Sequence, residues 1–189
     1  MASLPDPYLS PQEYLAVERK ASFKSEYLDG GCYAMAGASP RHNRITANLI
    51  IRLGVELGHG PCQVFPSDLK VRASATRYFY PDVSVICGPL QYADEDQDVV
   101  LNPTVIIEVL SETTSLYDRG KKFFAYQGIP SLKEYLLVAQ DEFVVEQYTR
   151  QEKDAWLYLK TEGLQGSVRL PSIGATLSLS EVYARVDGL

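Results

Sequence analysis

Apolar residues recur at two different spacings along the chain, and these spacings separate predicted helices from predicted strands. The clearest helical spacing follows Ser39-Pro40 and ends at Gly58, with an apolar residue at every fourth position: Ile45, Leu49, Leu53 and Leu57. A capping box with proline at the first helical position, Ser10-Pro11-Gln12-Glu13, predicts another helix that runs to about Lys20. Two shorter helices are predicted, at about 116–127 and after the second capping box at 178–181.

Strand-like stretches fill most of the remaining sequence. EYLDGGCYAMAG (26–37) predicts a hairpin that turns at Asp29-Gly30. Further strands are predicted at 63–73, 78–87, 104–111, 134–139, 143–149 and 156–160. This order predicts a mixed α/β protein with one domain over residues 1–189. It comprises an N-terminal helix and hairpin (1–38), a core (39–140), and C-terminal strands with a short helix (141–189).

One acidic residue interrupts the most apolar of these strands. Val105 to Leu110 has the continuous apolar character of a strand that is buried on both faces, yet Glu108 lies within it. A carboxylate in that position costs several kcal/mol, roughly, unless a cation or hydrogen-bond donors meet it. We therefore expect a specific partner for Glu108.

Two other segments supply candidate partners for this carboxylate. Pro81 precedes Asp82 in a predicted strand, and a proline at this place indicates a sheet edge, a strand beginning or a bulge that re-aims the acid. Lys122 follows the Glu108 strand on the next predicted helix, where it shares a face with Tyr126 four residues later. We expect Asp82 and Glu108 to lie on neighbouring strands with Lys122 above them.

Two carboxylates with a lysine suit metal-assisted cleavage of a phosphodiester. Mg²⁺ prefers oxygen ligands and is often held by one or two carboxylates together with a phosphate oxygen. In this interpretation Asp82 and Glu108 hold Mg²⁺ or Mn²⁺, while Lys122 orients the water or stabilises the developing charge. The alternative is a plain buried salt bridge between Glu108 and Lys122.

Composition narrows the class of protein. A net charge of −6 and a pI near 5.0 argue against a protein that binds nucleic acid tightly by charge alone. Three cysteines without metal-type spacing, Cys32, Cys62 and Cys87, predict reduced thiols in a cytoplasmic protein. No apolar run is long enough to span a membrane, and the first residues lack a signal-peptide core.

An ordered set of motifs resembles the PD-(D/E)XK nuclease superfamily, and within it the "putative restriction endonuclease" family of bacterial hypothetical proteins. The motifs cover most of the chain: EYLDG (26–30), MAGAS (35–39) with His42-Asn43, Ser67-Asp68, YPDVSV (80–85), IEVLS (107–111), YDRG (117–120), Lys122 with Tyr126, and EYLLV (134–138). The resemblance implies a restriction endonuclease-like core, in which a central mixed β-sheet is flanked by helices, with residues 39–140 as the nuclease core.

The resemblance also implies roles for individual residues. Asp82 matches the first acid of the superfamily pattern and Glu108 the second. The pattern places its lysine two residues after the second acid, but Leu110 stands there. Lys122, on the following helix, is the expected match, because the position of the ammonium group matters rather than the backbone that supplies it.

Four further residues are second-rank candidates for the site. They are Asp68, expected on the strand beside Asp82, Glu26, His42 and Tyr126. Glu26 has the alternative interpretation of an exposed strand position, and His42 that of a helix cap or a packed side chain. Asp68 is expected to add a metal ligand or a hydrogen bond around the ligands.

The resulting hypothesis is a Mg²⁺-dependent DNA endonuclease of a restriction, repair or mobile-element kind. Two alternatives are a non-catalytic nucleic-acid- or protein-binding module that keeps the nuclease fold, and a metal-dependent hydrolase of smaller phosphoesters. Cutting both strands of a duplex requires two sites, so a two-fold homodimer is expected. Its contacts are expected at the tyrosine-containing strands near 146–148 and 156–158.

Overall fold

The computed structural model of the protein describes residues 8–112 and 114–188. The helices in these ranges are α1 (Pro11–Glu18), α2 (Pro40–Leu57), α3 (Ser115–Tyr117), α4 (Phe123–Tyr126) and α5 (Leu179–Val182). A π-helical segment, Asp118–Lys122, joins α3 directly to α4. The predicted helix at about 116–127 is therefore present, with a wider turn in its middle.

The strands follow the predicted order but are more numerous than predicted. They are β1 (Ser25–Leu28), β2 (Gly31–Ala34), β3 (Cys62–Pro66), β4 (Lys70–Ser74), β5 (Arg77–Phe79), β6 (Val83–Cys87), β7 (Val99–Val100), β8 (Val105–Leu110), β9 (Glu134–Ala139), β10 (Val144–Arg150), β11 (Trp156–Glu162), β12 (Ser167–Leu170) and β13 (Ala175–Ser178). The predicted hairpin of β1 and β2 turns at Asp29 and Gly30, both of which have positive φ.

A six-stranded mixed sheet forms the centre of the protein. Its order is β11-β10-β9-β8-β6-β3, and the β8–β9 pair is parallel while the other pairs are antiparallel. A second sheet has the order β2-β1-β5-β4-β7, and β12 pairs with β13. The predicted central mixed sheet flanked by helices is confirmed.

Strand β8 is buried on both faces because a different layer covers each face of the central sheet. Ile45, Leu49 and Leu53 of α2 belong to one apolar cluster, together with Val105, Ile107 and Val109 of β8. The alternate residues of β8, Ile106 and Leu110, belong to a second cluster with α4 and the five-stranded sheet. Glu108 follows the same alternation and faces this second cluster.

Two predicted strands are wrong as single elements. The stretch 63–73 divides into β3 and β4, and the stretch 78–87 divides into β5 and β6, with each half in a different sheet. A proline stands at each division, since β3 ends at Pro66 and Pro81 lies just before β6. Proline has no N–H for a sheet ladder, so the chain leaves one sheet there and enters the other.

The two predicted capping boxes have different outcomes. At α1, the Ser10 side chain accepts from the Glu13 N–H and the Glu13 carboxylate accepts from the Ser10 N–H, as predicted. At α5, Ser178 is the N-cap residue but its side chain makes no capping hydrogen bond. Its hydroxyl instead lies 2.8 Å from the hydroxyl of Ser180, so the second box is not formed.

The prediction of three reduced thiols is wrong for two of the cysteines. Cys62 and Cys87 form a disulfide, and only Cys32 is free. The reason lies in strand register, because β3 and β6 pair so that Cys62 stands directly opposite Cys87, with their Cα atoms 3.9 Å apart. Separately, none of the helices within 8–112 and 114–188 has the length and apolar character needed to cross a membrane.

Candidate active site

The buried carboxylate of Glu108 meets a lysine and a tyrosine hydroxyl. Its side chain is only about 4% exposed, and its Oε1 lies 2.9 Å from Lys122 Nζ. The Tyr126 hydroxyl donates to the same oxygen at 3.1 Å. Lys122 is therefore the cationic side chain that offsets the cost of burying the Glu108 carboxylate in β8.

The π-helical segment Asp118–Lys122 places three side chains of one helix toward the carboxylate. Lys122 Nζ lies 3.7 Å from Asp118 Oδ1, and Tyr126 reaches Glu108 from the following turn. All three side chains are buried. Single π-helical turns within α-helices occur frequently at functional sites. Here the π-helical turn brings Asp118 and Lys122 of the same helix close to each other.

Asp82 lies directly beside Glu108, one residue before β6 begins. Val83 pairs with Ile107, and one further step of this antiparallel register places Asp82 opposite Glu108. The Asp82 N–H points to Glu108 Oε2 at 3.4 Å. Asp82 Oδ2 in turn accepts from the Val109 N–H at 2.8 Å. The prediction that these two acids come from neighbouring strands is confirmed.

His42 approaches Asp82 from the other layer of the protein. It lies in the first turn of α2, where Ser39 provides the N-cap, and its Nε2 is 3.1 Å from Asp82 Oδ2. Its other ring nitrogen, Nδ1, is buried without a hydrogen-bond partner among the residues that the structure describes. The side chain therefore contacts the candidate site, while the capping task belongs to Ser39.

Glu26 reaches the cluster from the second sheet. It lies on β1 and is buried, and its Oε1 is 3.0 Å from Lys122 Nζ. The Tyr80 N–H and the Tyr117 hydroxyl donate to its two oxygens, each at 3.4 Å. The interpretation of Glu26 as an exposed strand position is wrong, because the five-stranded sheet packs against the helix that carries Lys122.

Asp68 does not join the cluster. It lies in the turn between β3 and β4, its side chain is 84% exposed, and it pairs with Lys24 at 2.8 Å. The expected position on a strand beside Asp82 is wrong, because the chain turns at 67–68, after Pro66 ends β3. Lys121 is also exposed, whereas its neighbour Lys122 is buried.

The cluster carries more acid than base. Three carboxylates, those of Glu26, Glu108 and Asp118, lie around the Lys122 ammonium. The fourth, that of Asp82, lies beside Glu108. Burial raises the pKa of Glu108 well above its usual value, Lys122 opposes this rise, and the neighbouring acids add to it. Burial alone would lower the pKa of Lys122, but Glu108 and Glu26 outweigh it and hold the pKa well above its usual value. Lys122 therefore keeps its ammonium form among the surrounding acids.

This donor set fits a small divalent cation. Among residues 8–112 and 114–188, no group of three or more His, Cys, Asp or Glu side chains is arranged to hold a metal alone. Asp82 and Glu108 nevertheless offer carboxylate oxygens from adjacent strands, within a cluster of four acids and one lysine. Mg²⁺ commonly takes one or two carboxylates and completes its ligands with water and phosphate oxygens. The chemistry of these residues suits that arrangement.

Comparison with known proteins establishes the family. Residues 11–180 match Uma2, described as "Putative restriction endonuclease". The chain belongs to the Uma2 family. Two proteins of Synechocystis sp. (strain ATCC 27184 / PCC 6803 / Kazusa) are similar along most of their length. The protein sll1609 is 40% identical over 156 residues, covering 82% of this chain and 88% of its own. The protein slr1290 is 37% identical over 182 residues, covering 96% and 94%.

A solved structure shares the fold. It is a crystal structure described as "a putative nuclease belonging to DUF820" from Anabaena variabilis ATCC 29413. The TM-score is 0.77 at 18% identity, over 93% of this chain and 98% of that one. The restriction endonuclease-like fold expected from the motifs is thus shown, and membership of the Uma2 family supports a nuclease-like function.

Sequence reasoning missed two members of the cluster. Asp118 is buried beside Lys122, and Tyr117 donates to Glu26. The position of Asp118 four residues before Lys122 was a usable signal, since such pairs face each other on a helix. No local signal marks Tyr117, because its partner lies 91 residues away in another sheet.

Proposed function

We propose that this member of the Uma2 family is a Mg²⁺-dependent DNA endonuclease. The observation that carries the proposal is the pair of carboxylates just before β6 and on β8, with a buried ammonium 2.9 Å from one of them. In this proposal Asp82 and Glu108 hold Mg²⁺, or Mn²⁺ in its place. Acid-rich clusters that retain a lysine suit the cleavage of a phosphodiester, because both the cation and the lysine face the developing negative charge.

The protein side chains have distinct tasks in this proposal. When bound, the metal neutralises phosphate charge and lowers the pKa of a water molecule. Lys122 contributes a fixed positive charge for the phosphate oxygens or holds the attacking water. Glu26 and Asp118 keep the Lys122 ammonium charged and in place, at 3.0 and 3.7 Å. Tyr126 fixes one oxygen of Glu108, which leaves the other toward Asp82.

His42 and the backbone of β8 orient Asp82. Both of their contacts fall on the same oxygen, Oδ2, from His42 Nε2 and from the Val109 N–H. A carboxylate held through one oxygen presents the other in a defined direction. We infer that His42 is a positioning residue, comparable to the groups around a metal site that orient its ligands.

The experiment that tests this function is a cleavage assay on supercoiled plasmid with Mg²⁺, with Mn²⁺ and with chelator. We expect nicking or linearisation with either metal, none with chelator, and none from Glu108→Gln. Asp68→Asn is the matched control, because Asp68 is an acid of the same motif set that lies outside the cluster. RNA and nucleotide phosphoesters in parallel distinguish a DNA endonuclease from a hydrolase of smaller substrates. Cleavage that persists in Glu108→Gln contradicts the assignment.

One observation favours the alternative of a non-catalytic binding module. Lys122 is already paired with Glu26 and Glu108, as in a cluster that serves only to hold the second sheet against the helix. A structural cluster of this kind neither requires metal nor cuts nucleic acid. The alternative is therefore supported if purified protein cuts none of the substrates with any metal while folding normally.

A further inference from the structure

Strand β11 forms one edge of the central sheet and exposes apolar side chains on both of its faces. It pairs with β10 and with no other strand of the described chain. Leu157, Tyr158 and Leu159 follow one another in its middle and are 48%, 47% and 50% exposed. Because successive strand residues point to opposite faces, neither face of this edge is purely polar. Long apolar edge strands are templates for pairing with another strand.

The hydrogen-bonding pattern shows which backbone groups lie on the free edge. The Gly163 N–H donates to the Phe143 carbonyl at 2.8 Å, one step beyond the pair Val144 and Glu162. Antiparallel strands exchange hydrogen bonds at every second residue. Backbone groups of the odd-numbered residues therefore bond to β10, and those of the even-numbered residues point away from it: Trp156, Tyr158, Lys160 and Glu162.

We propose that β11 pairs with β11 of a second copy of this chain, antiparallel and centred on Leu159. This register uses the whole strand, since Trp156 then stands opposite Glu162 of the partner subunit and Tyr158 opposite Lys160 of the partner subunit. Each of the four outward-pointing residues then belongs to a hydrogen-bonded pair between the two copies. The two six-stranded sheets join into one continuous sheet, and no free edge remains at β11.

The side chains of β11 are complementary to themselves in this register. Lys160 meets an aromatic ring and Glu162 meets Trp156 of the partner subunit, so no like charges stand directly opposite. On the other face, Leu159 meets its own copy at the two-fold axis. Lysine often protects an edge strand from pairing, but Lys160 is neutralised within the chain by Glu162, 2.5 Å away. In a chain of net charge −6, this strand is a neutral segment.

The proposed pairing of β11 does not depend on the proposed endonuclease function, but it determines how the two Glu108 clusters are arranged. The axis of an antiparallel strand pair is perpendicular to the sheet, so both copies present the Glu108 face on the same side. Two clusters on one side of a continuous sheet suit a duplex that is cut on both strands.

The first test is the mass of the full chain in solution, by light scattering at micromolar concentration. We expect twice the chain mass of 21.1 kDa. Leu159→Lys places two ammonium groups at the axis and should weaken dimerisation by about 100-fold or more, since like charges in contact cost several kcal/mol. Leu164→Lys is the control, because Leu164 is exposed but follows β11. A monomeric wild type, or a dimer that survives Leu159→Lys, overturns the proposal.

A second test reports the register itself. In a Cys32→Ser background, which removes the free thiol, Leu159→Cys should form a disulfide with its own copy under mild oxidation. Its Cα atoms would lie roughly 4.5 Å apart in a non-hydrogen-bonded pair, within the range of a disulfide. Leu157→Cys should not form one, because its copy is displaced by about 14 Å along the strand. Efficient cross-linking of Leu157→Cys instead contradicts the register. A wild type that stays monomeric but binds an added strand peptide also overturns the proposal, in favour of another partner.

Discussion

Lys122 Nζ lies 2.9 Å from Glu108 Oε1 in the interior of the protein. Both side chains are buried, so water cannot take the place of either partner if it is removed. An isolated buried ion pair adds little net stability, but removal of one partner leaves an uncompensated charge. Lys122 therefore has two tasks in our account. It makes the acids of the cluster tolerable for the fold, and it supplies a positive charge for the proposed reaction.

The first task predicts a large loss of stability in Lys122→Met. Without added metal, we expect the free energy of unfolding to fall by about 3 kcal/mol or more, because Glu26 and Glu108 lose their cation. Lys121→Met, one position away on the exposed side, should change it by roughly 0.5 kcal/mol or less. Urea unfolding of the two variants measures both values. Equal small effects would place Lys122 outside the stabilising cluster.

The second task predicts a loss of rate that is not a loss of metal. In Lys122→Met, the affinity for Mg²⁺ should be at least that of the wild type, since a competing cation is gone. The single-turnover cleavage rate should fall by about 10²–10³-fold, the effect of removing one electrostatic stabiliser. Lys121→Met should cut at nearly the normal rate, with weaker DNA binding if it contacts a phosphate. If Lys121→Met is inactive and Lys122→Met is active, the roles of the two lysines are reversed.

Two buried tyrosines form a matched pair for the electrostatics of the cluster. Tyr126 donates to the Glu108 carboxylate at 3.1 Å, whereas Tyr135 donates to the backbone carbonyl of Asp118 at 3.0 Å. Hydrogen bonds to charged groups contribute about 1.5–3 kcal/mol, and those to neutral groups about 0.5–1.5 kcal/mol. Tyr126→Phe should therefore destabilise the protein more than Tyr135→Phe in chemical denaturation. The reverse order would contradict the assignment of a charged acceptor to the Tyr126 hydrogen bond.

Arg19 predicts a pH dependence of stability outside the candidate site. It forms a two-point pair with Asp98, at 3.1 and 2.7 Å, and this pair holds the pKa of Asp98 below its usual value. A lowered carboxylate pKa contributes stability at neutral pH that is lost as the pH falls below about 3.9. The melting temperature of Arg19→Met should thus lie below that of the wild type at about pH 7, and the difference should narrow toward about pH 3.

The control for this dependence is Lys20→Met. Lys20 neighbours Arg19 and forms no salt bridge with any other residue of the described ranges. Its difference in melting temperature from the wild type should stay nearly constant over the same range of pH. A difference for Arg19→Met that widens in acid would contradict the sign of the effect.

The sequence predicted the parts of the fold that depend on local pattern. The apolar spacing of α2, the turn at Asp29-Gly30 and the buried character of β8 are all read within a few neighbouring residues. The pairing of the two candidate acids followed from the adjacency of their strands. These features required no knowledge of how the two sheets pack against each other.

The features that the sequence did not predict depend on which sheet a segment joins. Residues on both sides of Pro66 favour a strand, although β3 and β4 belong to different sheets, and propensity does not encode which sheet a strand joins. The disulfide of Cys62 and Cys87 depends on the register of β3 against β6. The two cysteines are 25 residues apart in sequence, and no local pattern predicts that register. The position of Glu26 depends on the packing of the second sheet against Lys122. The disulfide and the position of Glu26 are tertiary relationships without a local sign, whereas Pro66 marks the place where 63–73 divides.

Calorimetric titration of Mg²⁺ into the apo protein and three variants tests whether Asp82 and Glu108 hold a metal. We expect one binding event for the wild type, loss of binding in Asp82→Asn and in Glu108→Gln, and unchanged binding in Asp68→Asn, whose side chain pairs with Lys24 away from the cluster. Substitution of amide for carboxylate keeps the shape of each side chain and removes only the charge. Wild-type protein that binds no divalent metal, or Asp82→Asn that binds it as tightly as the wild type, would contradict the assignment of these two carboxylates.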